Sequence, residues 1–326
     1  MQRIWTGFVE HPWAVWAAAF CVCVLVLAPF DLSGLIDWRE TPPDAGPAPA
    51  GLHWLGVLAL SLVLVLNVWA ISRLPFQLQV LVAWVELLAL FLVFFYSFNL
   101  SYDYILARLP FLLGIGLQNG FLMGAALTLF ICFAAILAST IIALAAALGR
   151  LSGNGIAFGL STFYTSFFRG TPLLLQILLV YLGLPQIGIV LTPIPSAVIA
   201  LSLCYGAYSA EIFRAGILAV PAGQREAARA LGLRESLIMA LVVLPQAMRL
   251  IIPPLGNQFI AMLKDSSLVS VLGAWELMYM ARAHGRADFK YMEMLITAAL
   301  IYWAMSVAFE YAQARLERRF GKGVTS

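Results

Sequence analysis

Apolar positions in this chain come in long unbroken blocks rather than in alternating strand-like patterns. Blocks of roughly 18 residues or more fall at approximately 13–30, 52–72, 78–98, 117–148, 171–190, 195–213, 246–268 and 291–313. A helix of that length rises far enough to cross a hydrocarbon layer of about 30 Å. The pattern predicts an all-α fold, a polytopic membrane helical bundle of about eight transmembrane helices. The linker at 31–51 is rich in Pro, Gly and Asp, has no apolar run and reads as a solvated loop. One short polar piece, Gln224-Arg225-Glu226-Ala227-Ala228-Arg229-Ala230-Leu231-Gly232, lies between two such blocks. It is helix-favouring, follows the breakers Pro221 and Gly223, and ends on a glycine suited to a helix C-terminus.

Composition supports the bilayer reading. Of the 326 residues 63% are hydrophobic and 11% charged, where soluble domains carry about 25% charged residues. A net charge of +3 is too small to argue for nucleic acid, and membrane lipid is the expected surrounding. The cysteines, Cys21, Cys23, Cys132 and Cys204, sit in apolar runs without metal or disulfide spacing and read as small fillers. The block at 13–30 lacks a small-x-small cleavage site and is read as a retained span rather than a signal peptide.

Orientation follows from the cations. With both termini cytoplasmic, Arg3, Arg73, Arg150, Arg169, Arg214, Arg225, Arg229, Arg234, Arg249, Arg315, Arg318, Arg319 and Lys322 fall inside. Arg39, Arg108, Arg282, Arg286 and Lys290 fall outside, and the Arg282–Lys290 loop runs against the bias. This orientation makes the polar piece at 224–232 cytoplasmic. Its alanine-rich face would bury little lipid, which weakens the alternative of a helix lying on headgroups.

Polar positions inside apolar blocks are the other candidates, because burying them in lipid is costly. Gln176 would bond a neighbouring helix or line a pathway. Glu211 either pairs with Arg214 at i+3 or takes part in gating. Pro253 and Pro254 each remove a ladder hydrogen bond, and Asn257, Gln258, Lys264, Asp265 and Ser270 follow them. Lys264 and Asp265 lie either in a solute path or at the outer interface. Glu86 reads as a polar contact facing the bundle. Gly116, Gly120 and Gly124 share one helix face and would allow close backbone packing.

The motifs then become specific. Glu226-Ala227-Ala228, three residues, Gly232, nine residues and Val242-Val243-Leu244-Pro245 resemble the EAA loop of ABC-importer permeases, with Val242 where the usual form has Ile. AYSAEIFRAGI at 207–217, GQREAARALGL at 223–233, LPQAMRLIIPPLGNQF at 244–259, LKDSSLVSVLG at 263–273 and RGTPLLLQ at 169–176 resemble the polar-amino-acid branch of that family. The resemblance covers roughly 117–313. It implies a permease core at 111–315, after an N-terminal extension at 1–110 with about three spans and an extracytoplasmic loop, and before a basic cytoplasmic tail at 316–326. It also implies a multi-pass subunit of the bacterial cytoplasmic (inner) membrane that forms the translocation path of a type I importer. Gly223, Gln224, Arg225, Glu226, Ala227, Ala228, Arg229 and Gly232 would couple it to a separate ATPase. The further partners implied are a second permease subunit, identical or paralogous, an extracytoplasmic solute-binding protein, and a polar amino acid as solute.

The chain has no GxxxxGK[ST] phosphate loop; Gly321-Lys322-Gly323 lacks the first glycine and the hydroxyl. No cofactor is expected on this chain, and ATP and Mg would sit on the partner ATPase. An ion-coupled secondary transporter for small polar solutes is the alternative, but no internal inverted repeat is evident. An intramembrane enzyme fits less well: His11, His53 and His284 are scattered and form no H-E-x-x-H.

Overall fold

The structure, a computed structural model, describes residues 12–30, 50–98, 100–115 and 122–320. The chain divides into two units at Asn99–Leu100, rather than at the boundary near 110 that the resemblance implied. The reason is local: the helix from Tyr102 packs within the second unit, as described below.

The first unit contains α1 (Pro12–Leu27), α2 (Ala50–Ser72) and α3 (Phe76–Tyr96). No residue of α3 is buried, and α2 is mostly exposed. Helices that are apolar all round and unburied by protein are suited to lipid. The α2–α3 turn is closed by Gln79 Nε2, which donates to the carbonyls of Leu74 (2.7 Å) and Ser72 (3.3 Å). Asn67 Nδ2 donates to Glu86 Oε1 at 2.7 Å, so Glu86 makes the polar contact within its bundle that was expected.

The second unit runs α4 (Tyr102–Leu113), α5 (Gly124–Leu151), α6 (Gly155–Gly170), α7 (Leu173–Leu178), α8 (Pro193–Leu218), α9 (Ala222–Ala230), α10 (Leu244–Asp265), α11 (Leu277–Ala287) and α12 (Tyr291–Phe320). Its centre is the α5–α8 pair, where Cys132, Ala135, Ala143 and Ala147 of α5 lie in the same buried clusters as Ala200, Cys204 and Ala210 of α8. Small residues let two backbones approach where lipid supplies no hydrophobic push. A Cβ on Gly206 would lie 2.6 Å from Tyr164 Oη, and one on Gly216 would lie 2.4 Å from Ile251 Cγ1. Cys132 and Cys204 are buried free thiols, in keeping with the filler reading.

The expected count of eight crossings is not reached among the described residues. Six helical stretches are long and apolar enough to cross, and a bent pair makes a seventh. At 16 residues α1 rises about 24 Å, short of the roughly 30 Å core. The block at 171–190 is not one straight span. It is the second arm of a pair, α6 and the segment Leu173–Ile187, that bends by 108°. Thr171 is extended (φ −114°, ψ 145°) because Pro172 disfavours the helical region for the residue before it.

The span expected from 117 begins as helix at Gly124, while Gly116 and Gly120 lie outside the described residues. Gly124 has φ +57°, and a Cβ there would meet the Leu112 carbonyl oxygen at 2.2 Å. Its close approach is to α4 rather than along a helix face. Pro253 and Pro254 do not break α10, which runs through both. The ladder widens earlier instead, in a π-helical turn at Ile238–Val243. α12 continues to Phe320, so the basic tail expected from 316 starts as helix.

Candidate functional site

After α8 ends, Val220 and Pro221 turn the chain, and Pro221 caps α9. Ala228, 4% exposed, anchors α9 in a cluster with Ile217, Val220, Ile238 and Val243. The helix closes on Gly232 (φ +76°), with Leu233 N–H donating to Ala228 O and Gly232 N–H to Arg229 O. That is the glycine-terminated C-cap its sequence foretold, in the left-handed region that glycine enters at no steric cost. Gly223, Gln224, Glu226, Ala227, Ala230 and Leu231 are exposed.

The two arginines of this helix turn back onto the chain itself. Arg225 Nη2 donates to the Ile217 carbonyl at 2.8 Å, tying α9 to the last turn of α8. Arg229 pairs with Glu235, whose hydrogen bond and charge raise the guanidinium above its ordinary value. Glu226, by contrast, makes no ion pair among the described residues. The outward face therefore carries Gln224, Glu226, Leu231 and small side chains together with the exposed Arg229–Glu235 pair, and only Arg225 is drawn back toward α8.

Six residues before Ile217 on the same helix, Glu211 does more than pair with Arg214. Its Oε1 accepts from Arg150 Nη1 at the end of α5 and from Arg169 Nη1 at the end of α6 (3.0 Å), and its Oε2 accepts from Arg214 Nε (3.0 Å). Arg169 also lies 5.6 Å from the Tyr208 ring centroid. Three helix ends are thus held on one carboxylate. Arg150 and Arg169 were visible only as cations at span ends, because their partner is distant in sequence.

The remaining candidates separate into different places. Gln176, 3% exposed, donates through Nε2 to Phe168 O (2.8 Å), Thr171 O (3.0 Å) and Thr171 Oγ1 (2.9 Å). It braces the α6–α7 corner. Asn257 Oδ1 accepts from Gln313 Nε2 (3.1 Å), which also donates to Pro253 O, so Asn257 ties α10 to α12. Gln258 is half-buried beside it.

Lys264 lines a cavity of about 580 Å³ with Ser267, Tyr302, Trp303, Ser306 and Glu310. Asp265 accepts a hydrogen bond from Tyr205 at 2.7 Å. Tyr302 lies about 17 Å along α12 from Tyr291 at the ordinary helical rise. The α12 side of this cavity runs from Leu295 to Glu310, so Lys264 opens onto a long stretch of a 30-residue helix that includes its middle turns. Ser270 is buried and faces a second cavity.

Glu276 is the residue that sequence reasoning missed. Fully buried, it caps α11 by accepting from Met278 N–H (2.9 Å) and Tyr279 N–H (2.7 Å), and it accepts from Tyr302 Oη at 3.0 Å. The only sequence signal was an acid immediately before an amphipathic stretch.

A short polar helix exposed between the ends of long apolar helices, in a chain that also holds an apolar-walled cavity with charged groups at its rim, defines a polytopic helical membrane protein. Residues 138–322 match the family described as "Binding-protein-dependent transport system inner membrane component", and the chain belongs to that family. It is 37% identical over 222 residues to the arginine transport system permease protein ArtQ of Bacillus subtilis (strain 168), covering 68% of this chain and 97% of the relative. It is 41% identical to the L-cystine transport system permease protein TcyB of the same organism, covering 56% and 79%. With the glutamine transport system permease protein GlnP of Escherichia coli (strain K12) the identity is 34%, covering 60% and 90%. Among solved structures, the crystal structure of an amino acid ABC transporter with histidines is similar at TM-score 0.57 and 40% identity, covering 60% of this chain and 92% of that one.

Proposed function

We propose that this chain is the permease subunit of an ATP-driven, binding-protein-dependent importer of polar amino acids, docked to separate ATPase subunits through α9. The observation that carries the reading is α9 itself. It is an exposed helix with a small-residue face, fixed at one end by Ala228 in the core and by Arg225 on the Ile217 carbonyl. A helix held this way passes a push from outside directly into α8. Relatives named for arginine, cystine and glutamine transport support amino acids as the solute class. ATP and Mg belong on the ATPase, a second permease copy or paralogue completes the path, and an extracytoplasmic binding protein delivers the solute. Both termini are cytoplasmic in this reading, in the bacterial inner membrane.

Within the path, the cavity around Lys264 offers a cation, the Glu310 carboxylate, three hydroxyls (Ser267, Tyr302 and Ser306) and an indole. Opposite charges in one apolar-walled space suit a zwitterion. The test is uptake by the permease reconstituted with its ATPase and binding protein. Glu226→Lys and Ala227→Arg are expected to abolish uptake and ATPase co-purification while membrane insertion stays normal. Unchanged uptake in both would overturn the assignment of α9 as the docking joint.

A further inference from the structure

At the end of the bundle opposite α9, two arginines are left unexplained by the features above. Arg282 and Arg286 stand one turn apart on α11, both exposed, and line a cavity of about 860 Å³ with Ser270, Tyr279 and Tyr291. Like charges four apart on a helix repel each other, so the pair is unfavourable without a counter-charge. The local carboxylates hydrogen-bond elsewhere, and the buried Glu276 reaches Arg282 only through its field, without direct contact. Asp288 is held by Tyr104 and Arg108, Glu293 by Lys290 and the Ser101 amide, and Glu276 by the α11 amides and Tyr302. Among the described residues, no carboxylate lies within ion-pair distance of either guanidinium.

Position and volume point the same way. A cavity of this size is in the range of small-molecule sites, and guanidinium forks match carboxylates bidentately. The two cavities flank the same elements. Ser270 lies on the same short 3₁₀ turn, Ser266–Leu272, as Ser267 of the Lys264 cavity, and Tyr279 follows Met278, which lines the Lys264 cavity. We infer that Arg282 and Arg286 form an entry subsite that takes the carboxylate of the incoming solute before it reaches the Lys264 cavity. The inference rests on the amino-acid import reading and deepens it.

The test is equilibrium binding of each of the twenty labelled L-amino acids to the permease–ATPase complex in nanodiscs, without binding protein. Wild-type uptake of the same set in proteoliposomes is scored separately. At least one imported amino acid is expected to bind, with competition from its unlabelled form but not from its α-amide. Arg282→Gln with Arg286→Gln is expected to weaken binding about tenfold or more, and Arg282→Lys with Arg286→Lys to restore part of it. Affinity for the binding protein should not change.

Equal affinity in the Gln variant, or equal competition by the amide, overturns the subsite while leaving import standing. Loss of binding-protein affinity with solute affinity intact overturns it in favour of a docking contact for acidic side chains of that protein. Absence of wild-type uptake for every amino acid removes the import reading, and the subsite with it.

Discussion

Among the described residues, Glu211 is the one carboxylate paired with Arg150, Arg169 and Arg214, so neutralising it leaves three guanidiniums crowded at the ends of three helices. Glu211→Gln is expected to cost about 2 kcal/mol, the range for charge-assisted hydrogen bonds that are only partly exposed. Thermal melting of the detergent-solubilised chain measures it, and adding Arg150→Gln should recover part of the loss because the two sites share one interaction. A second carboxylate, Asp288, gives a pH signature. The Tyr104 hydroxyl first, and then Arg108, hold its pKa below the ordinary value. A depressed carboxylate contributes stability that is complete above its unfolded pKa of about 4 and is lost as pH falls through the folded one. The melting difference between wild type and Asp288→Asn is therefore expected to be present at pH 6 and to shrink steadily as the pH is lowered below the ordinary carboxylate range. A constant difference would disprove the tie.

Among the elements, the α6–α7 corner and the α8–α10 crossing depend on one residue each. Gln176→Leu removes the amide whose two N–H groups are shared among three acceptors at the 108° bend and is expected to destabilise by about 2 kcal/mol, since the part-buried Phe168 and Thr171 carbonyls lose their donor. Gly216→Ala puts a Cβ 2.4 Å from Ile251 Cγ1. It should cost about 1–3 kcal/mol through overpacking and be rescued by Ile251→Ala, read as recovered monodisperse protein on size exclusion. These elements also mark how far the sequence could be read. Apolar block length located the long helices, and α9 was legible to its terminal glycine because caps and charge are local signals. The bend at Thr171–Pro172 was not, since an apolar run has no directional information and a proline after a break can equally start a straight span. α4 and α11 were missed because helices of 12 and 11 residues fall below the length at which hydropathy alone identifies a span. Within the site, Glu211 and Lys264 stood out as charges in apolar blocks, but Arg150, Tyr205 and Tyr302 could not. Their partners lie far along the chain, and only packing brings them together.

For the whole molecule, the two units make different demands. The family match at 138–322 lies inside the second unit, and ArtQ is matched over 97% of its length. A chain beginning at Leu100 is therefore expected to insert and support uptake with the same solute preference. Loss of uptake despite normal insertion would give the first unit a part in transport. In the second unit α8 reaches furthest. Its 26 residues span about 39 Å and include Ile217, which takes the Arg225 hydrogen bond, Glu211, which gathers three helix ends, and Tyr205, which holds Asp265. Because one continuous helix carries all three, a rigid displacement of α9 would reach the arginine cluster and the Asp265 contact together. Under the proposed docking of a motor at α9, solute and motor would each feel the other's state through a single pushrod. A partial stroke, with one end engaged and the other idle, would have to bend or unwind α8 itself.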